Sequence, residues 1–193
     1  EALESCDKAI QIRPDYAEAY SNRGAALKEL GRLDEALESC DKAIRIRPDY
    51  AEAYSNRGVA LKDLGRLEEA VASYDKAIQI RPDYAEAYGN LCELYDKIHM
   101  VDKLEKVLLQ AQEVLPKDDP TLLYRSAKLA FRENRLEKVK DSLERVDPEK
   151  LPLKVKKGYS ELLAKTYDKL GLFSNAFTQF EITNKIAEQS PEA

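Results

Sequence analysis

Three asparagines, Asn22, Asn56 and Asn90, stand 34 residues apart, and a side-chain amide can both donate and accept a hydrogen bond. A row of amides at one phase can hold the backbone of an extended peptide with little regard to its side chains; the plainer alternative is a tolerated polar residue duplicated with the repeat. Other chemistry has little to build on. His99 is the only histidine, with no cysteine at ligand spacing and no Ser or Asp constellation around it, which argues against a metal site or general acid–base work. Cys6, Cys40 and Cys92 form no CxxC pair. Cys6 and Cys40 share one phase of the same interval, where the next copy has Tyr74, so they read as small buried hydrophobes in a reducing, cytoplasmic compartment. There is no glycine-rich phosphate loop. We expect no catalytic residue, no metal and no cofactor.

The asparagines must be positioned by a repeated unit. Residues 17–50 and 51–84 agree at 27 of 34 positions, and near-identity at this period marks one supersecondary unit stacked on copies of itself. In each copy an Asp-Tyr-Ala-Glu run predicts a helix start, with Asp15, Asp49 and Asp83 as N-caps and Glu18, Glu52 and Glu86 closing the capping box. Tyr20, Gly24, Leu27 and Leu30 mark one face of a first helix, and Gly31 supplies the residue past its end. Leu33, Ala36, Cys40 and Ala43 mark a second helix, which Pro48 stops. Helices of about 14 residues are marginal alone, so stability must come from stacking neighbours. Gly24, Gly58, Ala36, Ala43, Ala70 and Ala77 keep the contact surfaces thin.

This pattern resembles the tetratricopeptide repeat family. The family's signature of aromatic, Gly, Tyr or Leu, Ala, aromatic, Ala and Pro is carried by Tyr54, Gly58, Leu61, Ala70, Tyr74, Ala77 and Pro82, and the first copy departs from it only at Cys40. The resemblance implies an all-α fold, a right-handed superhelical solenoid of antiparallel helix pairs whose concave groove binds peptide segments. The Asn22, Asn56 and Asn90 row is similar to the asparagine ladder in the repeat region of protein O-linked N-acetylglucosamine transferases. Chaperone-binding members instead carry a Lys and Asn clamp, at positions that here read Ser21 and Ala25, or Ser55 and Val59.

Beside the ladder, Glu18, Glu52, Glu86, Glu29, Asp63, Glu93 and Asp96 face Lys28, Lys62 and Lys97, so acids outnumber bases and a neutral or basic protein segment is favoured. A solvated charged face is the plainer alternative. Arg23 and Arg57 stand where the family has Leu, and we expect their stems to pack while each guanidinium reaches a carboxylate.

Residues 1–16 read as the second helix of a repeat whose first helix is missing, so the chain reads as a fragment of a longer protein. Its stripe of Ala2, Leu3, Cys6, Ala9 and Ile10 is expected to meet another molecule. Residues 17–118 hold three regular repeats, of which the third drifts: Cys92 and Leu104 replace small residues and His99 replaces the turn glycine. Residues 119–152 hold a divergent fourth repeat, shortened at Asp147-Pro148, and a linker from residue 149. Residues 153–193 hold a divergent fifth, with its last helix ending near Ala187 and residues 189–193 fraying. Phe173, Phe177, Phe180 and Ile186 give that last helix more apolar surface than one inward face needs. The passage from Leu170 onward resembles the end of the repeat region that precedes a sulfotransferase domain in bacterial proteins.

Net charge is −5. Residues 1–118 carry 17 Lys/Arg against 24 Asp/Glu and residues 119–193 carry 14 against 12, neither of which is a nucleic-acid surface; no apolar run spans a membrane. The favoured function is a non-enzymatic scaffold for protein–protein interaction. The alternatives are an accessory region of a larger enzyme, such as a sulfotransferase or glycosyltransferase, and self-association through exposed repeat ends.

Overall fold

The computed structural model describes residues 2–151 and 153–189. Among them are eleven α-helices and no strand: α1 Ala2–Ile12, α2 Ala17–Glu29, α3 Leu33–Ile46, α4 Ala51–Asp63, α5 Leu67–Ile80, α6 Ala85–Lys97, α7 Val101–Val114, α8 Pro120–Arg132, α9 Leu136–Glu144, α10 Leu153–Lys169 and α11 Phe173–Gln189. The chain divides into two compact units, residues 1–114 and 115–193.

In unit 1, α2 pairs with α3, α4 with α5, and α6 with α7, while each second helix also touches the first helix that follows it. Every turn within a pair needs one residue with positive φ. Gly31 and Gly65 supply it at 72° and 77°. In the drifted third copy His99 adopts 58°, so the turn survives loss of its glycine in a backbone conformation uncommon for residues with a side chain. Gly58 answers a different need: a Cβ there would sit 2.5 Å from the ring of Tyr74, which is fully buried.

Two expectations fail locally. Asp15, Asp49 and Asp83 do not cap their helices. Tyr16, Tyr50 and Tyr84 occupy the cap with no side-chain cap bond. The cause is the Arg-Pro-Asp-Tyr turn: Tyr16 N–H donates to Arg13 C=O at 3.2 Å, and the Arg13 guanidinium lies 3.5 Å over the Tyr16 ring. The turn therefore ends on the tyrosine and leaves each aspartate exposed outside the helix. Leu30 likewise lies at the end of α2 and is 61% exposed, outside the packed face of Tyr20, Gly24 and Leu27. Part of the α1 stripe is already covered, because Leu3 packs on a cluster of Leu27, Ala36 and Ala60.

Unit 2 pairs α8 with α9 and α10 with α11, and α10 also packs on α9. Its core gathers Leu123, Tyr124, Ala127, Val139, Leu143, Tyr159, Leu163, Tyr167 and Ala176. Here aspartate does cap: Asp119 accepts from Leu122 N–H at 2.8 Å, with Pro120 opening α8. The expected linker is more ordered than its sequence suggests. Pro148–Lys150 forms a 3-10 turn capped by Asp147, and Leu151 is buried in the core. Asn134 and Gly171 hold positive φ at 57° and 74° in the two turns. Helix α11 reaches Gln189, two residues past the expected end, so the fraying expected from Gln189 on does not hold at that residue, and residues 190–193 lie outside the described residues.

Candidate functional site

The first helices of unit 1 adjoin one another directly, α2 against α4 and α4 against α6. They make one continuous surface, and the asparagine row runs across it. The structure shows what holds that row. Asn56 Nδ2 donates to Ser21 Oγ at 3.0 Å and to Ser21 C=O at 3.4 Å. Asn90 Nδ2 donates to Ser55 Oγ at 3.4 Å. Each amide thus reaches back to the first helix of the preceding copy and turns its N–H groups into a brace between repeats. Asn22 is exposed. Ser21 and Ser55 are 1% and 0% exposed; they repeat with the asparagines, but their periodicity alone does not say that they receive an amide from the next copy.

The charged residues beside the row are mostly spent on one another. Glu18 accepts from Arg47 at 2.6 Å, and Glu52 pairs with Arg81. Glu18 is held below the usual carboxylate range, first by an N–H of its own backbone and then by Arg47. The same arginines stack on tyrosines, Arg47 3.5 Å from the Tyr50 ring centre and Arg81 4.0 Å from that of Tyr84. Burial raises the phenols of Tyr50 and Tyr84. Glu86, in the third copy, accepts instead from Tyr84 Oη at 3.1 Å. Lys62 on α4 reaches Glu93 on α6 at 3.0 Å, which ties adjacent first helices on the ladder side. Lys28 pairs with its neighbour Glu29. The structure thus brings Asn56 to Ser21, Asn90 to Ser55 and Lys62 to Glu93, while Glu18 and Glu52 turn toward the loop edge. An open cavity of about 470 Å³ lies at that edge, lined by Arg47, Asp49, Tyr50, Ala51, Glu52, Ile80 and Arg81.

Arg23 and Arg57 behave as their stems and charge require. Arg23 Nε donates to Asp7 on the preceding second helix at 2.7 Å and its NH1 to Ser39 at 2.6 Å. Arg57 repeats this with Asp41 and Ser73, both at 2.7 Å. Each arginine therefore clasps three helices. Among the described residues no group of His, Cys, Asp and Glu could hold a metal ion, and no helix is long and apolar enough to cross a membrane. Burial pushes the Cys40 thiol up to about 12, which suits a core residue and not a nucleophile.

Residues 15–83 and 61–121 match two family models, each described as tetratricopeptide repeat. No curated protein matches the sequence. Among solved structures, a chain of an APC/C hetero-tetramer is similar with a TM-score of 0.81 at 14% identity, covering 96% of this chain and 36% of that one; this chain thus spans about a third of its length. YrrB, described as a TPR protein with an unusual peptide-binding site, is similar with a TM-score of 0.62 at 20% identity, covering 96% of this chain and 93% of that one. Pseudomonas aeruginosa pilF gives 0.77 at 16% identity, with 96% and 82% covered.

Proposed function

Since the chain belongs to the tetratricopeptide-repeat family, we propose that it is a non-catalytic scaffold whose α2–α4–α6 surface grips an extended segment of a partner protein. The observation that supports this reading most is the fixed amide row on adjoining first helices. With the N–H groups of Asn56 and Asn90 held by Ser21 and Ser55, their carbonyl oxygens are set at a constant orientation as acceptors for the backbone N–H groups of a peptide. Asn22 supplies a third, exposed amide. Similarity to a protein described as having a peptide-binding site agrees with this reading.

The ion pairs narrow the expected charge preference. Arg47 and Arg81 neutralise Glu18 and Glu52, and Lys28 and Lys62 are matched by Glu29 and Glu93. Exposed Asp63 and Glu86 then carry the preference for a neutral or basic segment.

Peptides selected from a random displayed library on the immobilised chain provide the test. Replacing Asn22, Asn56 and Asn90 together by Ala should weaken the selected peptides by at least tenfold, since each lost bond to a peptide contributes about 1 kcal/mol. The chain must stay helical by circular dichroism. Unchanged affinity would mean that the amides serve only as braces between repeats.

A further inference from the structure

Helix α11 ends its unit with Phe173, Phe177 and Phe180 exposed by 69%, 66% and 41%. The repeat itself says what such a face receives. Two, six and nine residues after the turn Gly171, these phenylalanines stand where Leu33, Leu37 and Cys40 stand after Gly31. Leu33 and Leu37 are half-buried, in a second helix that packs against the first helix of the following copy, while Cys40 is buried against Gly24 of its own pair. Leu3, at the phase of Phe177 in α1, packs on a cluster containing Leu27 of α2.

An acid marks the same interface. Asp7 on α1 and Asp41 on α3 receive Arg23 and Arg57 from the first helices that follow them, each at 2.7 Å. In unit 2 the corresponding acid of α9, Glu144, accepts from Tyr167 Oη of the following α10 at 3.0 Å. In these three pairs the donor stands on the next first helix. The acid at this phase of α11 is Glu181, ten residues after Gly171 as Asp41 is ten after Gly31. Glu181 is exposed, and among the described residues it has no ion-pair partner. So α11 presents both halves of a socket, apolar and acidic, with no described helix seated in it.

We propose that α11 docks an amphipathic helix of a partner protein that presents an arginine flanked by alanines, seated as α4 is seated on α3. In α4 this row is Ala53, Arg57 and Ala60, with both alanines at 0% exposure; small side chains let the helix backbone approach while the arginine reaches the acid. Size points to a single helix and not a second folded copy. Three partly exposed aromatic rings offer on the order of 300 Å² of apolar surface, well short of the roughly 800 Å² each partner buries in a standard protein pair.

The probe is a stapled helical peptide of residues 50–66, labelled for fluorescence anisotropy and titrated with the whole chain. Binding should weaken at least tenfold with Phe177→Ser and with Glu181→Lys in the chain. A peptide carrying Arg57→Glu should lose binding to the unaltered chain and regain it with Glu181→Lys, whereas Lys42→Ala in the chain, at an exposed position of α3, should change nothing. All the altered positions of α11 are exposed, and circular dichroism checks that the helices persist. No binding up to about 1 mM, binding indifferent to both α11 variants, or failure of the charge exchange overturns the proposal. Sedimentation of the chain alone decides the remaining occupant: self-association abolished by Phe177→Ser would make a second copy the ligand and also overturn it.

Discussion

Unit 1 and unit 2 use the same helix-pair frame but fasten it differently. In unit 1 the fastening is polar and periodic, with Arg23 and Arg57 of the first two copies clasping Asp7 and Asp41, and Asn56 and Asn90 of the second and third bracing on Ser21 and Ser55. Unit 2 instead relies on a contiguous apolar core, into which Tyr159 and Tyr167 send hydroxyls that end on Leu143 C=O at 3.2 Å and Glu144 at 3.0 Å. The junction between these habits is visible in the third copy. Leu91 replaces the arginine there and is itself buried, so Asp75, the counterpart of Asp41, has lost its clasp. Its carboxyl is raised by burial, opposed only by Lys103. Periodic polar fasteners tie each copy to the next, and the third copy keeps helices of 13 and 14 residues without the arginine clasp.

High pH should expose this difference most strongly. Burial is the first cause raising the phenols of Tyr50, Tyr74, Tyr84, Tyr88 and Tyr95 in unit 1 and of Tyr159 and Tyr167 in unit 2, the last pushed up to about 12 with help from Glu144. A phenol whose folded value lies above its unfolded value of 10.0 keeps its proton longer when folded. The stability it contributes is complete below pH 10 and is lost as pH rises through the raised value. With five such groups against two, unit 1 should lose protection more steeply between pH 10 and 12. Limited proteolysis along a pH series, with fragments mapped to each unit, would show it; unit 2 giving way first would contradict the assignment.

Glycine at a helix contact separates the units next. Gly58→Ala places a Cβ 2.5, 2.8 and 2.9 Å from three ring atoms of Tyr74, and a fully buried ring has no room to swing away. Overpacking of this kind costs typically about 1–3 kcal/mol, against a gain of at most about 1 kcal/mol from replacing a helical glycine. We expect a net loss of about 2 kcal/mol in urea unfolding. Gly158→Ala meets only the hydroxyl tip of Tyr124 at 2.5 Å and its next ring atom at 3.6 Å, so its loss should be smaller. Equal losses would show that the two contacts are equally rigid.

Much of this was legible in the residues. The interval between the copies and the signature from Tyr54 to Pro82 gave the helix pairs, and Arg23 and Arg57 were readable as paired because a charge on a packing row must find a counter-charge. The capping box misled, because a three-residue pattern cannot reveal that Arg13, Arg47 and Arg81 stack on the tyrosines and draw each turn one residue further. Nor could the sequence show that Ser21 and Ser55 receive the ladder amides, since that bond joins residues 35 apart across two helices. Leu151 was misplaced in a linker because burial of a single leucine depends on a core assembled from α8 to α11.

The arginine clasp should register next in size. Arg57→Leu reproduces in the second copy what Leu91 does in the third, leaving Asp41 and Ser73 without their donor. A half-exposed ion pair alone contributes at most about 1 kcal/mol, but the second bond to a buried serine brings the expected loss to about 1.5 kcal/mol. A double-mutant cycle with Asp41→Ala isolates the pair. Coupling near zero would reduce the clasp to packing of the arginine stem.

The smallest effect has opposite signs in the two units. Tyr74 is 0% exposed and its hydroxyl has no hydrogen-bond partner, so the ring fits the space opposite Gly58 while its oxygen is desolvated without compensation. Leaving a buried hydroxyl unpaired costs about 1–3 kcal/mol, part of which is recovered when the group is removed. Tyr74→Phe keeps the ring and deletes the orphan, and should stabilise the chain by about 0.5–1 kcal/mol on this reasoning. Tyr159→Phe and Tyr167→Phe delete hydroxyls that do have acceptors, and each should destabilise by about 1 kcal/mol. Urea midpoints of the three single variants at neutral pH decide the matter. A destabilised Tyr74→Phe would mean that this hydroxyl finds an acceptor in solution, and the first two copies would then differ, Cys40 against Tyr74, by a polar fastener as well as by volume.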